Sequence, residues 1–339
     1  MKPVLFVTNL VPPDRAGAFQ ALHAQVPLEL ALFGGRSHHA TAGVADPGVP
    51  HRHVAQRAIR ALAASGDYDA VVCGTAGRIA LPAALSGAQA AGVPFVLWSA
   101  LWGHLSTPAH LLARPLVAAA HRRAAVVVAY GPHVAAHARA LGAQRVVLAP
   151  QAVDNAFWSA RTGVVRDDHF SALWVGRPVP EKGLDVLREA WSLATLPAGA
   201  RLRMVGAGAP DGTERPEQLR NSYARSHFVV IPSIASRRFR EPWGLVANEA
   251  MNQHCAILAT DAVGAAAGGL VRDGATGLVV PAGDPRALAG ALERLAADPA
   301  LRTGLADRGA QAVAAYTQQA WADRFAEALR EATAQEGPC

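Results

Sequence analysis

Four side chains in the second half of the chain have the types and spacing that phosphate-ester chemistry needs. Arg177 and Lys182 stand in GRPVPEKGL, from Gly176 to Leu184. Arginine offers a planar fork that matches phosphate oxygens, and lysine a compact point charge. Glu241 and Glu249 follow in REPWGLVANEAM, with seven residues between them. Pro242 stops any helix before it, and Gly244 gives permissive backbone ahead of an apolar-patterned run. That spacing predicts Glu241 in a loop and Glu249 one to two turns inside the helix that follows. The free N–H groups at the helix start, near Gly244 and Leu245, would form an anion site. Cations, a helix start and two carboxylates suit a ligand with phosphates in its middle and hydroxyls at both ends. A sugar nucleotide is such a ligand. Taken singly, each pair also reads as solvated surface charge. The elements around them decide between the two readings.

Short apolar runs bounded by turn residues recur through the first 150 residues. They begin at Val4, Leu28, Tyr68, Pro94, Ala124 and Arg145, with alanine-rich helical spacing between most of them. Runs apolar at nearly every position fit parallel strands buried on both faces, and the alternation fits βαβ units. Right-handed crossovers then give a doubly wound sheet. Residues 150–170 are polar and turn-prone and read as a linker. A second strand series begins at Ser171, Leu202, His227, Cys255 and Thr276, with helical spacing at Leu184, Leu187, Trp191 and Ala194. The expected fold is therefore α/β with two doubly wound, Rossmann-like domains, 1–152 and 165–315. A last helix over about 318–332 has no strand after it and is free to pack back on the first domain. Ligands of such sheets bind beyond the C-terminal ends of the strands. This directs attention to Asn9–Gly17, Ala100–His104, Gly131–His133 and the loop holding Arg177 and Lys182.

The bulk properties set limits. The 339 residues are enough for two cores, and a composition of 51% hydrophobic and 17% charged residues is that of a globular chain. The net charge of +6 is compatible with anionic partners without choosing among them. Basic residues are scattered with no interleaved aromatic platform, which argues against nucleic acid. The start MKPVLFVTNLVPPD is broken too early for a signal peptide, and no apolar run is long enough to span a membrane. Cys73, Cys255 and Cys339 read as reduced thiols, so a cytoplasmic setting is expected. No metal site is expected, since carboxylates do not cluster at a candidate phosphate loop; His133 and His137 lack further ligands nearby. His38, His39, His51 and His53 read as a solvated polar loop. Arg114, Arg122 and Arg123 edge the apolar stretch LLARPLVAAAHRR. A peripheral membrane contact is conceivable there, but Pro115 interrupts the stretch, and a buried crossover helix is favoured.

In order, the second half shows GR-x-x-x-EKG-L-x-x-L after a strand, then a V-G-x-G turn and a strand ending in Pro-Ser. The glutamate pair with EAM and LVRDGATGLVVPAGD complete the series. As a joint pattern this resembles the retaining glycosyltransferases of family 4, with the GT-B fold, closely over Ser171–Asp284 and loosely elsewhere. N-L-V-P-P-x-R near the start and R-R-A-x-V-V-V-x-Y-G-P-H-V near residue 122 resemble a bacterial branch. The resemblance implies two domains facing a central cleft and a nucleotide-sugar donor held by the second. Arg177 and Lys182 would bind the donor diphosphate, Glu249 the ribose hydroxyls, and Glu241 the transferred sugar. Trp243, Gly244 and Leu245 would touch sugar hydroxyls and phosphate, and His104 the sugar near its anomeric centre. Gly17 matches the first-loop glycines, although the family's usual pair is incomplete. The stretch Gly206–Tyr223 is short and appears shorn of a helix and strand before the base-binding turn, which would survive as Asp211-Gly212-Thr213-Glu214.

The implied activity is metal-independent transfer with retention, a UDP-sugar being the first donor to consider. The acceptor would be a small molecule or lipid-linked, in natural-product or cell-envelope glycan synthesis. No cofactor is expected beyond this co-substrate. The alternatives are a non-catalytic sugar-nucleotide sensor or partner subunit on the same fold, and a phosphorylase-like or synthase enzyme making a free disaccharide.

Overall fold

In the computed structural model the described residues are 2–34, 46–75, 77, 79–103, 106–237 and 239–334. His104, His38, His39 and Cys339 lie outside them. The chain divides into two compact units, Met1–Pro150 with Gln318–Cys339, and Gln151–Thr317.

The first unit holds strands β1 (Val4–Thr8), β2 (Leu28–Leu32), β3 (His51–His53), β4 (Ala70–Gly74), β5 (Phe95–Ser99), β6 (Val126–Ala129) and β7 (Val146–Leu148). Its first helices are α1 (Pro13–His23), α2 (Ile59–Ala63), α3 (Ala80–Ala91), α4 (Pro108–Arg123) and α5 (Pro132–Ala140). The strands pair in parallel in the order β3-β2-β1-β4-β5-β6-β7. Strands β1, β5 and β6 are buried at every position, as their unbroken apolar runs require of a sheet covered on both faces. The chain winds outward from β1 to β3 and then restarts at β4, so the strand order reverses between β1 and β4. A crevice belongs at the C-terminal ends of that pair.

The second unit holds α6 (Asn155–Ser159), β8 (Ser171–Val175), α7 (Leu184–Leu193), β9 (Arg201–Val205), α8 (Pro216–Arg225), β10 (Phe228–Ile231) and α9 (Val246–Asn252). It continues with β11 (Ala256–Thr260), α10 (Gly264–Ala267), β12 (Leu278–Val280), α11 (Pro285–Ala297) and α12 (Pro299–Val313). Its parallel order is β12-β11-β10-β8-β9, so the reversal falls between β8 and β10. Strand β9 is an edge. Only the turn after it and α8 separate it from β10 in the chain. One core gathers Trp174, Phe228 and Leu258 from one face of the sheet with Leu184 and Leu187 of α7 and Leu288 and Leu292 of α11.

The last helix, α13 (Gln318–Thr333), belongs to the first unit. Trp321 and Phe325 enter a cluster with Phe6, Phe19 and Trp98, at ring separations from 4.4 to 5.8 Å. Edge-on aromatic packing of this kind adds to the area it buries. It explains why a helix with no following strand docks on β1 and β5.

Three expectations need correction. The exposed segment His51–His53 is not a loop but the edge strand β3, paired with β2 and tied by an ion pair from Arg52 to Glu29. An edge strand facing water needs no apolar run. Residues 150–170 are not merely a linker. Asp154 caps α6, Trp158 is buried against Tyr223, and Asn252 Nδ2 donates to Asn155 Oδ1 at 3.1 Å. Helix α4 runs unbroken past Pro115, and it is not buried along its length. Leu111 is 47% and Leu112 84% exposed, and only Ala120 and His121 at the far end are buried. Pro115 itself is exposed, so the hydrogen bond it cannot make falls where water can serve the freed carbonyl.

His121 carries a pH dependence. Its Nδ1 lies 2.8 Å from the Val117 carbonyl, which can only accept, so Nδ1 is the donor and Nε2 accepts from the Ser99 hydroxyl at 3.2 Å. Burial lowers its pKa from the ordinary histidine value, against the raising effect of the Val117 bond. The unfolded chain therefore takes up this proton first as pH falls. Stability from His121 is complete above the ordinary histidine value and declines as pH drops from there toward the lowered folded one. Urea unfolding at pH 7 and pH 5 should show a smaller fall for His121→Gln than for the wild type. Equal falls would remove His121 as the cause.

Candidate active site

The reversal between β8 and β10 puts two loops side by side, and each carries residues singled out from the sequence. The loop after β8 holds Arg177, then a single 3-10 turn, Pro180–Lys182. The buried indole of Trp174 donates to the Lys182 carbonyl at 3.4 Å, and Gly183 N–H donates to the Pro180 carbonyl at 3.0 Å. The loop after β10 runs through Ser233 to Glu241. Thr260 Oγ1 anchors it by donating to the Ser233 carbonyl at 2.5 Å.

Gly183 is what lets the loops meet. Its φ is +63°, and a Cβ there would lie 1.9 Å from the Pro232 carbonyl oxygen. Only glycine combines that backbone with that approach. The result is direct contact between two residues far apart in sequence: Lys182 Nζ donates to Glu241 Oε2 in an ion pair. Ser233 Oγ donates to the same oxygen at 3.3 Å, and Lys182 lies 6.0 Å from the centre of the Phe239 ring. The Glu241 side chain is 9% exposed and that of Lys182 27%, so the pair is shielded from solvent on one side. Arg177, in the loop after β8, is half-buried, and among the described residues no carboxylate forms an ion pair with it.

Glu241 also bridges to Val263, and Ala265 N–H donates to the Trp243 carbonyl at 2.6 Å. These bonds hold Pro242–Trp243 against the start of α10. Trp243 is 2% exposed, and its indole N–H donates to Asn248 Oδ1 at 2.8 Å. It is packed into the structure, and what it offers outward is backbone. Gly244 has φ +92° and turns the chain into α9, whose N-terminus at Leu245 has no side-chain cap. Glu249 lies one turn inside α9, as its spacing requires, and is half-buried. Its Oε2 accepts the Tyr223 hydroxyl at 2.6 Å.

The turn after β9 is closed on itself. Gly206 N–H donates to the Gly212 carbonyl at 2.7 Å, and Asp211 Oδ2 accepts from Met204 N–H at 2.5 Å. The Glu214 carboxylate is engaged by Arg203 at 2.7 Å and by the Ser222 hydroxyl at 2.7 Å. Gly212 is exposed at the tip with open space around its α-carbon. In the first unit, Gly17 is not in a loop. It lies inside α1, where a Cβ would come 2.2 Å from Gln318 Oε1, and Gln318 Nε2 donates to the Asp14 carbonyl at 2.9 Å. Its place is in the packing of α1 against α13.

Residues 169–298 match the protein family described as Glycosyl transferases group 1. The second unit carries a glycosyl transferases group 1 domain. This group 1 domain spans both loops, the ion pair and α9. Two curated relatives are a D-inositol 3-phosphate glycosyltransferase of Kineococcus radiotolerans and an alpha-D-kanosaminyltransferase of Streptomyces kanamyceticus. The first is 34% identical over 232 residues, 56% of this chain and 52% of the relative. The second is 34% identical over 185 residues, 49% of this chain and 46% of the relative. The chain thus spans about half the length of the curated relatives it matches. Anabaena HepE, solved with UDP and glucose, has a TM-score of 0.74 at 17% identity, over 96% of this chain and 99% of that one. Sucrose-phosphate synthase from Thermosynechococcus elongatus has a TM-score of 0.77 at 19% identity, over 99% of this chain and 100% of that one. The fold is GT-B.

Two residues of the site were not singled out from the sequence. Ser233 was legible only as the end of a Pro-Ser strand. Tyr223 was named only as the end of the short stretch Gly206–Tyr223, and nothing in sequence spacing points it at Glu249. Among the described residues no group of three or more His, Cys, Asp or Glu side chains is placed to hold a metal ion, and no helix is long and apolar enough to cross a membrane.

Proposed function

We propose that this protein is a glycosyltransferase that takes a sugar from a nucleotide-diphosphate donor, a UDP-sugar first. It would pass that sugar to a hydroxyl of a small-molecule or lipid-linked acceptor. The observation that carries the reading is the meeting of Lys182 and Glu241 at the strand-order reversal of a group 1 domain, with Arg177 in the same loop as Lys182. The UDP bound by HepE and the inositol phosphate and kanosamine chemistry named for the relatives support the choice of donor and of a cyclitol or sugar acceptor.

In this reading Arg177 and Lys182 hold the diphosphate. Glu241 faces the sugar, Glu249 the ribose, and the backbone of Trp243 to Leu245 the phosphate and sugar hydroxyls. His104 lies outside the described residues, and its role near the anomeric carbon is what the family resemblance implies. The acceptor oxygen forms its bond to that carbon as the bond to the β-phosphate oxygen breaks, on the same face, so configuration is retained. The departing phosphate takes the acceptor's proton and leaves as the nucleoside diphosphate. Arg177 and Lys182 neutralise the charge that builds on it, in place of a metal ion. Positioning and leaving-group stabilisation then carry the rate.

The test is release of nucleoside diphosphate from UDP-, GDP-, ADP- and dTDP-sugars, without acceptor and then with inositol, inositol phosphates and aminocyclitols. Slow release that accelerates with one acceptor, giving a product of unchanged anomeric configuration by NMR, is expected. A protein that binds a sugar nucleotide but releases no diphosphate under any condition would be a sensor instead.

A further inference from the structure

We propose that Tyr223 is a positioning residue for donor binding: its hydroxyl holds Oε2 of Glu249 and so sets the orientation in which the carboxylate meets the ribose diol. The inference rests on the donor-site reading above.

The geometry comes from two helices and their support. Tyr223 projects from α8 and donates to Glu249 Oε2 on α9 at 2.6 Å. A bond of that length to a carboxylate is a strong, charge-assisted one. The phenol cannot drift, because Tyr223 is fully buried and its ring meets Trp158 edge-on at 5.8 Å. Burial, and then Glu249 itself, push the Tyr223 pKa well above the ordinary tyrosine value, so the phenol keeps its proton and remains the donor. Glu249 by contrast is half-buried and long, with rotamer freedom that ligand binding would otherwise have to freeze. The Tyr223 bond orients Oε2 before any ligand arrives. Such preorganisation improves affinity by lowering the ordering cost of binding.

The neighbouring residue makes the arrangement more telling. Ser222, next to Tyr223 on α8, donates to Glu214 at 2.7 Å. Consecutive residues of one helix therefore each hold a carboxylate. Glu214 is also bound by Arg203 and closes the turn, whereas Glu249 belongs to the candidate site. Tyr223 thus links the closed turn to the ribose side of the site.

The experiment measures binding of UDP and of 2′,3′-dideoxyuridine 5′-diphosphate to wild-type, Tyr223→Phe, Glu249→Ala and double-variant proteins by calorimetry. The adenosine and guanosine pairs are run in parallel, so that the choice of base does not decide the outcome. Tyr223→Phe should weaken the ribonucleotide about tenfold, the scale of one hydrogen bond to a charged group. It should leave the dideoxy compound unchanged. The loss should fall on KM for the donor more than on kcat, and Tyr223→Phe should add nothing in the Glu249→Ala background. Equal weakening of ribo- and dideoxynucleotide, or of Tyr223→Phe in both backgrounds, would make Tyr223 a merely structural residue and overturn the proposal. So would a Tyr223→Phe protein with wild-type affinity for both. If the wild type binds the two nucleotides equally, the ribose role of Glu249 fails first, which is a distinct result.

Discussion

Lys182→Ala should lower sugar transfer by about 100- to 1,000-fold, the range found when one group stabilising transition-state charge is removed. The reason is the environment of the ammonium. It is held by Glu241 within a partly shielded site, beside Ser233 and the Phe239 ring. There its charge is screened less than on an open surface. With no donor bound, Glu241 fixes Lys182 in place. In the proposed function, a bound donor draws the same ammonium to its diphosphate while Glu241 takes up sugar hydroxyls. The loss should therefore appear in kcat as well as in donor affinity, because charge on the leaving phosphate is greatest at the transition state. Lys182→Arg should restore little, since the fork is bulkier and needs different geometry. Steady-state kinetics with the donor identified above would measure this. A Lys182→Ala protein within a few-fold of wild type in kcat would remove lysine from the reaction.

Gly183→Ala should be strongly destabilising. Two penalties combine there. Alanine in the left-handed region costs about 1–2 kcal/mol. The new Cβ would stand 1.9 Å from the Pro232 carbonyl oxygen, backbone that must shift to admit it. Overpacking of that kind adds about 1–3 kcal/mol, for a total of about 2–5 kcal/mol. Gly163 is the natural control. It has φ +67° in the same unit with nothing within 4 Å of its would-be Cβ. Gly163→Ala should cost only about 1–2 kcal/mol, the backbone share alone. Chemical denaturation of both variants isolates the close approach as their difference. Because the displaced backbone carries Lys182 on one side and leads to Glu241 on the other, Gly183→Ala should also lose activity at temperatures where it is still folded. Equal destabilisation by the two substitutions would mean that the loops relax freely and that the meeting of Lys182 with Glu241 is not held by this contact.

The fold was largely legible because parallel strands buried on both faces must be apolar at nearly every position. Among the described residues most strands announce themselves that way; β9, Arg201–Val205, alternates arginine with apolar residues at an edge, and β3, His51–His53, is exposed at the other sheet's edge and carries no such signal. Helix α4 was misjudged for a related reason. Periodicity reports which residues could face a core, and Leu111 and Leu112 have the character of core residues without the neighbours to cover them. The order of site residues was legible because each follows a strand or heads a helix. Their partners were not. The pairing of Lys182 with Glu241 spans 59 positions, and that of Tyr223 with Glu249 crosses from one helix to another. Contacts of that sort are set by strand order and by glycines such as Gly183, which local spacing does not encode. Gly17 shows the converse. A glycine near the first strand suggested a phosphate loop, and the structure uses its missing side chain to admit Gln318.

The central claim is that the second unit binds a nucleoside diphosphate through Arg177 and Lys182. Thermal unfolding with UDP, GDP, ADP and dTDP, each beside its free nucleoside, tests it most directly in wild-type, Arg177→Ala and Lys182→Ala proteins. Ligand at about 100 times its dissociation constant should add roughly 2.7 kcal/mol of stability. One diphosphate should raise the midpoint of the wild type, its nucleoside should not, and both variants should lose the shift. A shift that survives in both variants, or none with any diphosphate, would contradict the account.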